Sequence, residues 1–405
     1  MLLGVAINGA GHHLAAWRHA GAESARLFTA DYATGLTRIA EAAILDFVTF
    51  DDALDVRGDD VRGRLDAVLV AARVAPATRH IGLIATIALT HTEPFHASKN
   101  IATLDWVSGG RGGWEAVVAG TEAEAANFGR KAAAPPAELY DEAAEFLDVV
   151  RRLWDSWEDD AIIRDQPTGR YVDRDRLHFV DFKGRFFSVR GPSITPRSPQ
   201  GHPVVAMAAA GGEALAVAAA HADIVFVDGA TPDEARALRA EIRKRAQAAG
   251  RDPEELRILA RIDVFLGTDA ATADAELAAL DAMLPDGLGA WGTHSEGGAP
   301  APDAHGGARP GPLVFVGSPA GLADLLDAWN DADAIDGFLI RPAVLPIGLR
   351  QLADEAVPIL RARGLVRDAY THTTLRDRLD LPRPPNRYAS PGTARPAHHH
   401  QDSRS

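Results

Sequence analysis

The sequence predicts an α/β protein built as a parallel (β/α)8 barrel, a TIM barrel with insertions. Three observations predict it. Short apolar stretches of strand length alternate with amphipathic helical stretches along most of the 405 residues, and such alternation implies a parallel sheet with right-handed crossovers. About eight strand–helix units can be counted. No charge block or long linker divides them, which favours one closed barrel over an open sheet.

The elements follow in order. Leu2 to Asn8 reads as the first strand and Asp31 to Ala43 as the helix after it; Phe47 to Phe50 and Arg62 to Val74 form the second unit. His80 to Ile87 is a third strand, and Pro94 to Val107 a helix whose first position tolerates proline because the N–H there has no partner to lose. Gly113 to Val118 is a weakly marked fourth strand. The helix Glu138 to Trp157 is the clearest in the chain: Leu139, Ala143, Phe146, Leu147, Val150, Leu153, Trp154 and Trp157 recur at the spacing of one helical face. Residues 158 to 200 break the pattern and read as an insertion with a hairpin at Phe182 to Phe187. Alternation resumes with strand Pro203 to Met207, helix Glu213 to His221, strand Ile224 to Val227 and helix Pro232 to Ala249. Strand Arg257 to Gly267 and helix Ala273 to Met283 follow. Residues 285 to 312 are rich in Gly, Pro and Ala and read as a long loop. Helix Pro319 to Trp329, strand Gly337 to Ile340 and helix Gly348 to Arg363 close the series. Residues 1–375 are thus expected to be one barrel domain, and 376–405, with Pro382, Pro384, Pro385 and the His398–His400 tract, a C-terminal tail whose last part is disordered.

Composition narrows the function. Lys plus Arg is 42 and Asp plus Glu is 56, a formal charge of −14, which argues against nucleic acid because phosphate neutralisation needs a basic surplus. No uninterrupted apolar stretch of about 18 residues occurs, so no membrane span is expected. The first residues lack a basic n-region, and the chain has no cysteine; together these lead to the expectation of a cytoplasmic protein without disulfides or thiolate metal sites.

Active sites of parallel barrels lie at the C-terminal ends of the strands. That rule selects His12, His13 and Trp17 after the first strand, Asp51 and Asp52 after the second, and Thr86, His91, Glu93 and His96 after the third. Glu115 follows the fourth and the run Ala208 to Gly212 the fifth. Each has a plain structural alternative: a histidine bonding its own loop, an aspartate capping a helix, small residues allowing close helix–sheet packing. Yet a helix N-terminus without bulky side chains is also what a phosphate requires. Neither His-x-His nor His-Glu-x-x-His spacing occurs, so no metal site is assigned.

Several segments are family-specific: Asn127-Phe128-Gly129, YDEAAEF at 140–146, LWDSWEDDA at 153–161, GRFFSVRGP at 184–192 and PRSPQGHPV at 196–204. GHHLAAWRH at 11–19, DFVTFDDAL at 46–54, TEPFHASKNIATLDWVSGGRGGW at 92–114 and TTLRDRLDLPRPPNRY at 373–388 agree. The chain resembles, nearly end to end, the bacterial-luciferase-like flavin-dependent monooxygenases, in the branch of nitrilotriacetate, dibenzothiophene-sulfone and long-chain alkane monooxygenases.

The resemblance implies a luciferase-like barrel and a two-component monooxygenase. Reduced FMN comes from a separate NAD(P)H:flavin reductase and reacts with O2 to a flavin C4a-peroxide, which oxygenates a small organic substrate. The alternatives within reach are a non-oxygenating FMN- or F420-linked oxidoreductase and a flavin-binding paralogue that has lost activity. A homodimer or homotetramer is the expected assembly. His12 or His13 is implied as the group that manages the proton near the flavin, and Trp17 and Trp114 as part of the water shield. Asp52 and Thr86 match positions beside the ring, and Tyr140 matches a tyrosine that bonds the FMN phosphate. Ala210 and Gly211 stand where the family usually carries two serines, and Glu115 where an uncharged amide is common; both departures are expected to weaken flavin binding.

Overall fold

In the computed structural model, which describes residues 1–56, 63–209, 211–229, 231–284 and 313–389, eight parallel strands close on themselves. They are β1 (Leu2–Ile7), β2 (Phe47–Phe50), β3 (Gly82–Ala88), β4 (Gly112–Val117), β5 (Val204–Ala208), β6 (Ile224–Val227), β7 (Arg257–Leu266) and β8 (Gly337–Pro342). Each pairs with the next, and β8 returns to β1 with Leu2 opposite Gly337. The expected barrel is therefore present, with every strand within two residues of its sequence reading.

Strand alternation sorts the side chains. Leu3, Val5, Val48, Leu83, Trp114, Val205, Val225, Ile258 and Phe338 belong to the large apolar layer between barrel and helices. Leu2, Ala6, Phe47, Ile84, Val204, Ala206, Phe226, Leu259 and Leu339 fill the interior. Two glycines allow close packing here: a Cβ on Gly4 would stand 2.4 Å from the Phe47 ring, and one on Gly82 would stand 2.5 Å from Leu375.

The outer helices are α1 (Ala30–Ala42), α2 (Ala67–Val74), α3 (Pro94–Ser108), α4 (Pro136–Asp155), α5 (Gly212–His221), α6 (Pro232–Ala248) and α7 (Pro319–Asp331). The last helical stretch, Ile347 to Ala362, carries a π-helical turn at Leu352–Ala356. Pro358 lacks an N–H and its ring would press on the carbonyl four residues back, so the turn before it widens. No helix among the described residues is long and apolar enough to cross a membrane.

Four elements went unread in the sequence. Glu122–Phe128 is a short helix begun by a Thr121/Glu124 capping box, Leu313–Gly317 pairs with the C-terminal half of β7, and Ile162–Asp165 pairs with Arg170–Val172 in the insertion. The fourth is a helical turn at Leu375–Arg378. The expected hairpin pairs Phe182–Lys183 with Ser188–Val189, its turn held by the Glu145 carboxylate, which accepts from the N–H groups of Arg185, Phe186 and Phe187. The helix expected from Arg62 begins instead at Ala67, where the Asp66 carboxylate accepts from the Leu69 N–H; Arg62 itself and the loop 285–312 lie outside the described residues.

The segment expected to be a tail is, over 376–389, part of the packed structure. Leu375, Leu379 and Leu381 plug the N-terminal end of the barrel. The Arg376 guanidinium grips Asp223 at 2.8 Å, and Arg378 donates to the Asp46 carbonyl at 2.9 Å with its guanidinium over the Tyr370 ring. Residues 390–405, with the histidine tract, lie outside the described residues.

Candidate active site

The inward-facing residues change character toward the C-terminal ends of the strands. Below, the interior is apolar; above, Asn8, Thr49, Asp51, Thr86, Glu115, Asp228, Arg261, Asp263 and Arg341 replace it with a polar ring. Strand register fixes part of that ring, with Thr86 beside Glu115 and Asp263 beside Arg341. The two arginines are already paired: Arg261 Nε lies 2.9 Å from Asp228 Oδ1, and Arg341 Nε 3.0 Å from Asp263 Oδ1.

His12 enters this ring from the loop after β1. The loop is fixed by the His12 and His13 N–H groups, which donate to the carbonyls of Pro342 and Ala343 at the end of β8. His12 is buried, its Nε2 3.4 Å from Asp51 Oδ2. Burial alone would raise the Asp51 carboxyl; the His12 ring, with Arg341 and Arg64 beyond it, outweighs burial and holds Asp51 below the ordinary carboxylate range. An ionised Asp51 keeps a proton on Nε2, which leaves Nδ1 as the basic atom of the ring. Nδ1 and the Thr49 hydroxyl are buried and have no hydrogen-bond partner among the described residues. Orphaned polar atoms of this kind mark where a bound molecule belongs.

Glu115 also faces the ring. Its carboxyl makes no hydrogen bond among the described residues and is pushed up to about 7, first by burial and then by the like charge of Asp51, against the pull of Arg261 and Arg341.

The other expected positions divide. Thr86 is inward and buried, as expected of a residue beside the ring. Trp17 stands on the rim, 41% exposed, with the Arg18 guanidinium over its ring. Three positions lie elsewhere. His13 is turned away from the mouth: Nε2 donates to Asp281 Oδ1 at 2.9 Å and Nδ1 accepts from the Ala15 N–H, so it clamps the loop to the helix Ala270–Asp281. Asp52 accepts from the Ala53 and Ala67 N–H groups and holds the start of α2, while its neighbour Asp51 faces the ring. Trp114 is wholly buried outside the barrel between Phe146 and Trp154; adjacent strand residues point to opposite faces, so Glu115 is the inward one.

At the end of β5 the chain turns into α5 through Gly211 (φ 95°) and Gly212 (φ 45°); a Cβ on either would meet nothing within 4 Å. Among the described residues the N–H groups of Gly212, Glu213 and Ala214 have no acceptor, and the two glycines keep the approach to this helix start clear of side chains, as an anion site requires. Ala210 lies outside the described residues. Tyr140 is the fifth residue of α4. Helices α4 and α5 run the same way, since Arg151 near the end of α4 reaches His221 at the end of α5. Eleven residues back along α4 and nine along α5 are about 16 and 14 Å at 1.5 Å per residue, so Tyr140 and Gly212 lie at one level. The residues present thus fit a phosphate-bearing cofactor: backbone donors at α5, a phenol at the same level of the neighbouring helix, and orphaned polar atoms in the barrel mouth.

A parallel eight-stranded barrel with its polar groups at the C-terminal mouth is an enzyme architecture. Residues 10–332 match the luciferase-like monooxygenase family, and the chain belongs to it. It is 34% identical to N-acetyl-S-(2-succino)cysteine monooxygenase of Bacillus subtilis (strain 168), over 96% of this chain and 98% of that protein. It is 31% identical to nitrilotriacetate monooxygenase component A of Aminobacter aminovorans, again over 96% and 98%. Among solved structures, a riboflavin lyase with modified FMN and riboflavin superposes with a TM-score of 0.82, at 26% identity over 94% of this chain and 95% of that one. The sequence resemblance is thereby confirmed at the level of family, fold and monooxygenase class.

Proposed function

We propose that this chain is the oxygenase component of a two-component FMN-dependent monooxygenase. It takes reduced FMN from a separate NAD(P)H:flavin reductase and uses it with O2 to oxygenate a small organic substrate. The observation that carries this reading is the pairing of an open, donor-lined helix start at α5 with the polar ring around His12 and Asp51 at the same end of the barrel. A protein named as component A among its relatives supports a partner reductase, and a similar structure holding a modified FMN supports the cofactor.

The bound flavin supplies the redox chemistry and the activation of dioxygen. The chain's residues bind, orient and exclude water. The α5 N–H groups and the Tyr140 hydroxyl hold the phosphate, each bond to a charged acceptor contributing about 1.5–3 kcal/mol. With neither residue 210 nor 211 carrying a hydroxyl, the backbone carries more of that load than in a serine-bearing relative. His12 accepts and returns a proton at Nδ1 while Asp51 fixes the opposite nitrogen. Trp17 narrows the rim against water. Anaerobic titration with reduced FMN, beside the same titration with F420, tests the reading: tight FMN binding and reductase-dependent substrate oxygenation support it. Binding of F420 in its place points to a cofactor change, and binding of neither to a barrel without this chemistry.

A further inference from the structure

Glu115 has no role in the mechanism so far, although it is a carboxyl placed among the groups that a ligand in the mouth must touch. Every element around it is accounted for. Asp51 faces it from β2, with His12 behind on the loop after β1 and Arg64 on the segment after β2. Thr86 adjoins it on β3 and Ala206 on β5. Across the barrel stand Asp228 at the end of β6, Arg261 and Asp263 on β7, and Arg341 on β8. The two guanidiniums that could have neutralised it are held by Asp228 and Asp263. Arg64, the third, donates to the Asn8 side chain at 3.1 Å. Among the described residues Glu115 therefore faces a negative neighbour, makes no hydrogen bond, and has for cations only Arg261 and Arg341, which Asp228 and Asp263 already engage. Losing its proton there creates a charge that the two shared guanidiniums compensate only in part, in keeping with its displacement to about 7.

A carboxyl that keeps its proton offers an O–H donor and a C=O acceptor side by side. An amide side chain offers the same pair; a carboxylate does not. The imide edge of a flavin ring presents alternating C=O and N–H groups, to which such a donor–acceptor pair is complementary. Resting on the cofactor reading above, we propose that Glu115 acts as a neutral carboxylic acid that pairs through its O–H and C=O with the carbonyl and N–H edge of the bound flavin, so that cofactor binding is linked to a proton held on this side chain. The positioning role belongs to this chain's particular residue. It makes flavin affinity pH-dependent near neutrality, where a glutamine at the same place would not.

The experiment is titration of the full chain with oxidised FMN from pH 6.5 to 8.5, in the wild type and in Glu115→Gln. The wild-type Kd should rise roughly tenfold or more across that range, and the Kd of Glu115→Gln should stay within about twofold after correction for the FMN phosphate, whose ionisation affects both alike. Calorimetry of the wild type in two buffers of different ionisation enthalpy gives an independent reading that needs no variant: a substantial fraction of a proton is taken up per FMN bound at pH 7.5. Equal pH slopes in the two proteins, or no proton uptake by the wild type, overturns the proposal while leaving FMN as cofactor. Failure of the wild type to bind FMN at any pH overturns the cofactor reading, and this one with it.

Discussion

Replacing Glu115 by glutamine should stabilise the ligand-free protein, and more so as the pH rises. The sign follows from linkage. The folded carboxyl titrates near 7 and the unfolded one near its ordinary 4.5, so between those values the folded state binds more protons and stability falls as pH increases. The full displacement of about 2.5 units is equivalent to about 3.4 kcal/mol at 1.36 kcal/mol per unit. About 1.4 kcal/mol of it is already lost at pH 5.5, so about 2 kcal/mol remains to be lost between pH 5.5 and 8.5. Glutamine keeps the shape and cannot ionise. The assay is urea unfolding of both proteins at four pH values across that window, reading the difference in stability so that all other titrations cancel. The difference should move in favour of the variant by about 2 kcal/mol, which is a large fraction of a typical domain's stability. A difference independent of pH, or one that moves toward the wild type at high pH, would overturn the placing of a poorly compensated carboxyl in the barrel mouth.

Further outcomes follow from the same geometry. His12→Gln should lower substrate oxygenation by about 10²–10⁴-fold with little change in unfolding midpoint, whereas His13→Ala should cost about 1–3 kcal/mol of stability, because it removes the buried ring that ties the loop to Asp281 and accepts from the Ala15 N–H; steady-state kinetics and thermal unfolding separate the two. Tyr140→Phe should weaken FMN by about 10–100-fold, one hydrogen bond to a charged group, measured by fluorescence titration. Trp114→Ala should destabilise by about 3–5 kcal/mol through the cavity left between Phe146 and Trp154, read by urea unfolding. Arg376→Ala should cost about 3–5 kcal/mol, since Asp223 would be left buried without the guanidinium that most lowers its carboxyl.

The architecture was legible because barrel strands buried on both faces read as short apolar runs, and the helices between them as one-sided stripes. The site was legible only to the nearest pair. His12 and His13, Asp51 and Asp52, and Trp114 and Glu115 are each adjacent, and within a strand neighbouring side chains face opposite sides. Composition cannot choose between them, but register can. Phe47, Thr49 and Asp51 share one parity, and continuing it from the inward Phe47 would have selected Asp51 over Asp52. The pairs Asp228–Arg261 and Asp263–Arg341 were hidden for a related reason, since their members stand on different strands or interrupt an apolar run. The 376–389 segment misled because its arginines and prolines have the composition of a solvated tail, while its leucines and two buried guanidiniums close the barrel floor.

We propose that the donor-lined start of α5 and the polar ring around His12 form one site for reduced FMN. Anaerobic titration of the purified chain with reduced FMN, followed by admission of oxygen in the presence of candidate substrates, addresses it most directly. A single site of this kind gives a saturable one-to-one complex, weakened by Tyr140→Phe and left intact by His12→Gln, that transfers oxygen to substrate in the wild type. Absence of a complex with reduced FMN, or a complex indifferent to Tyr140, would contradict it.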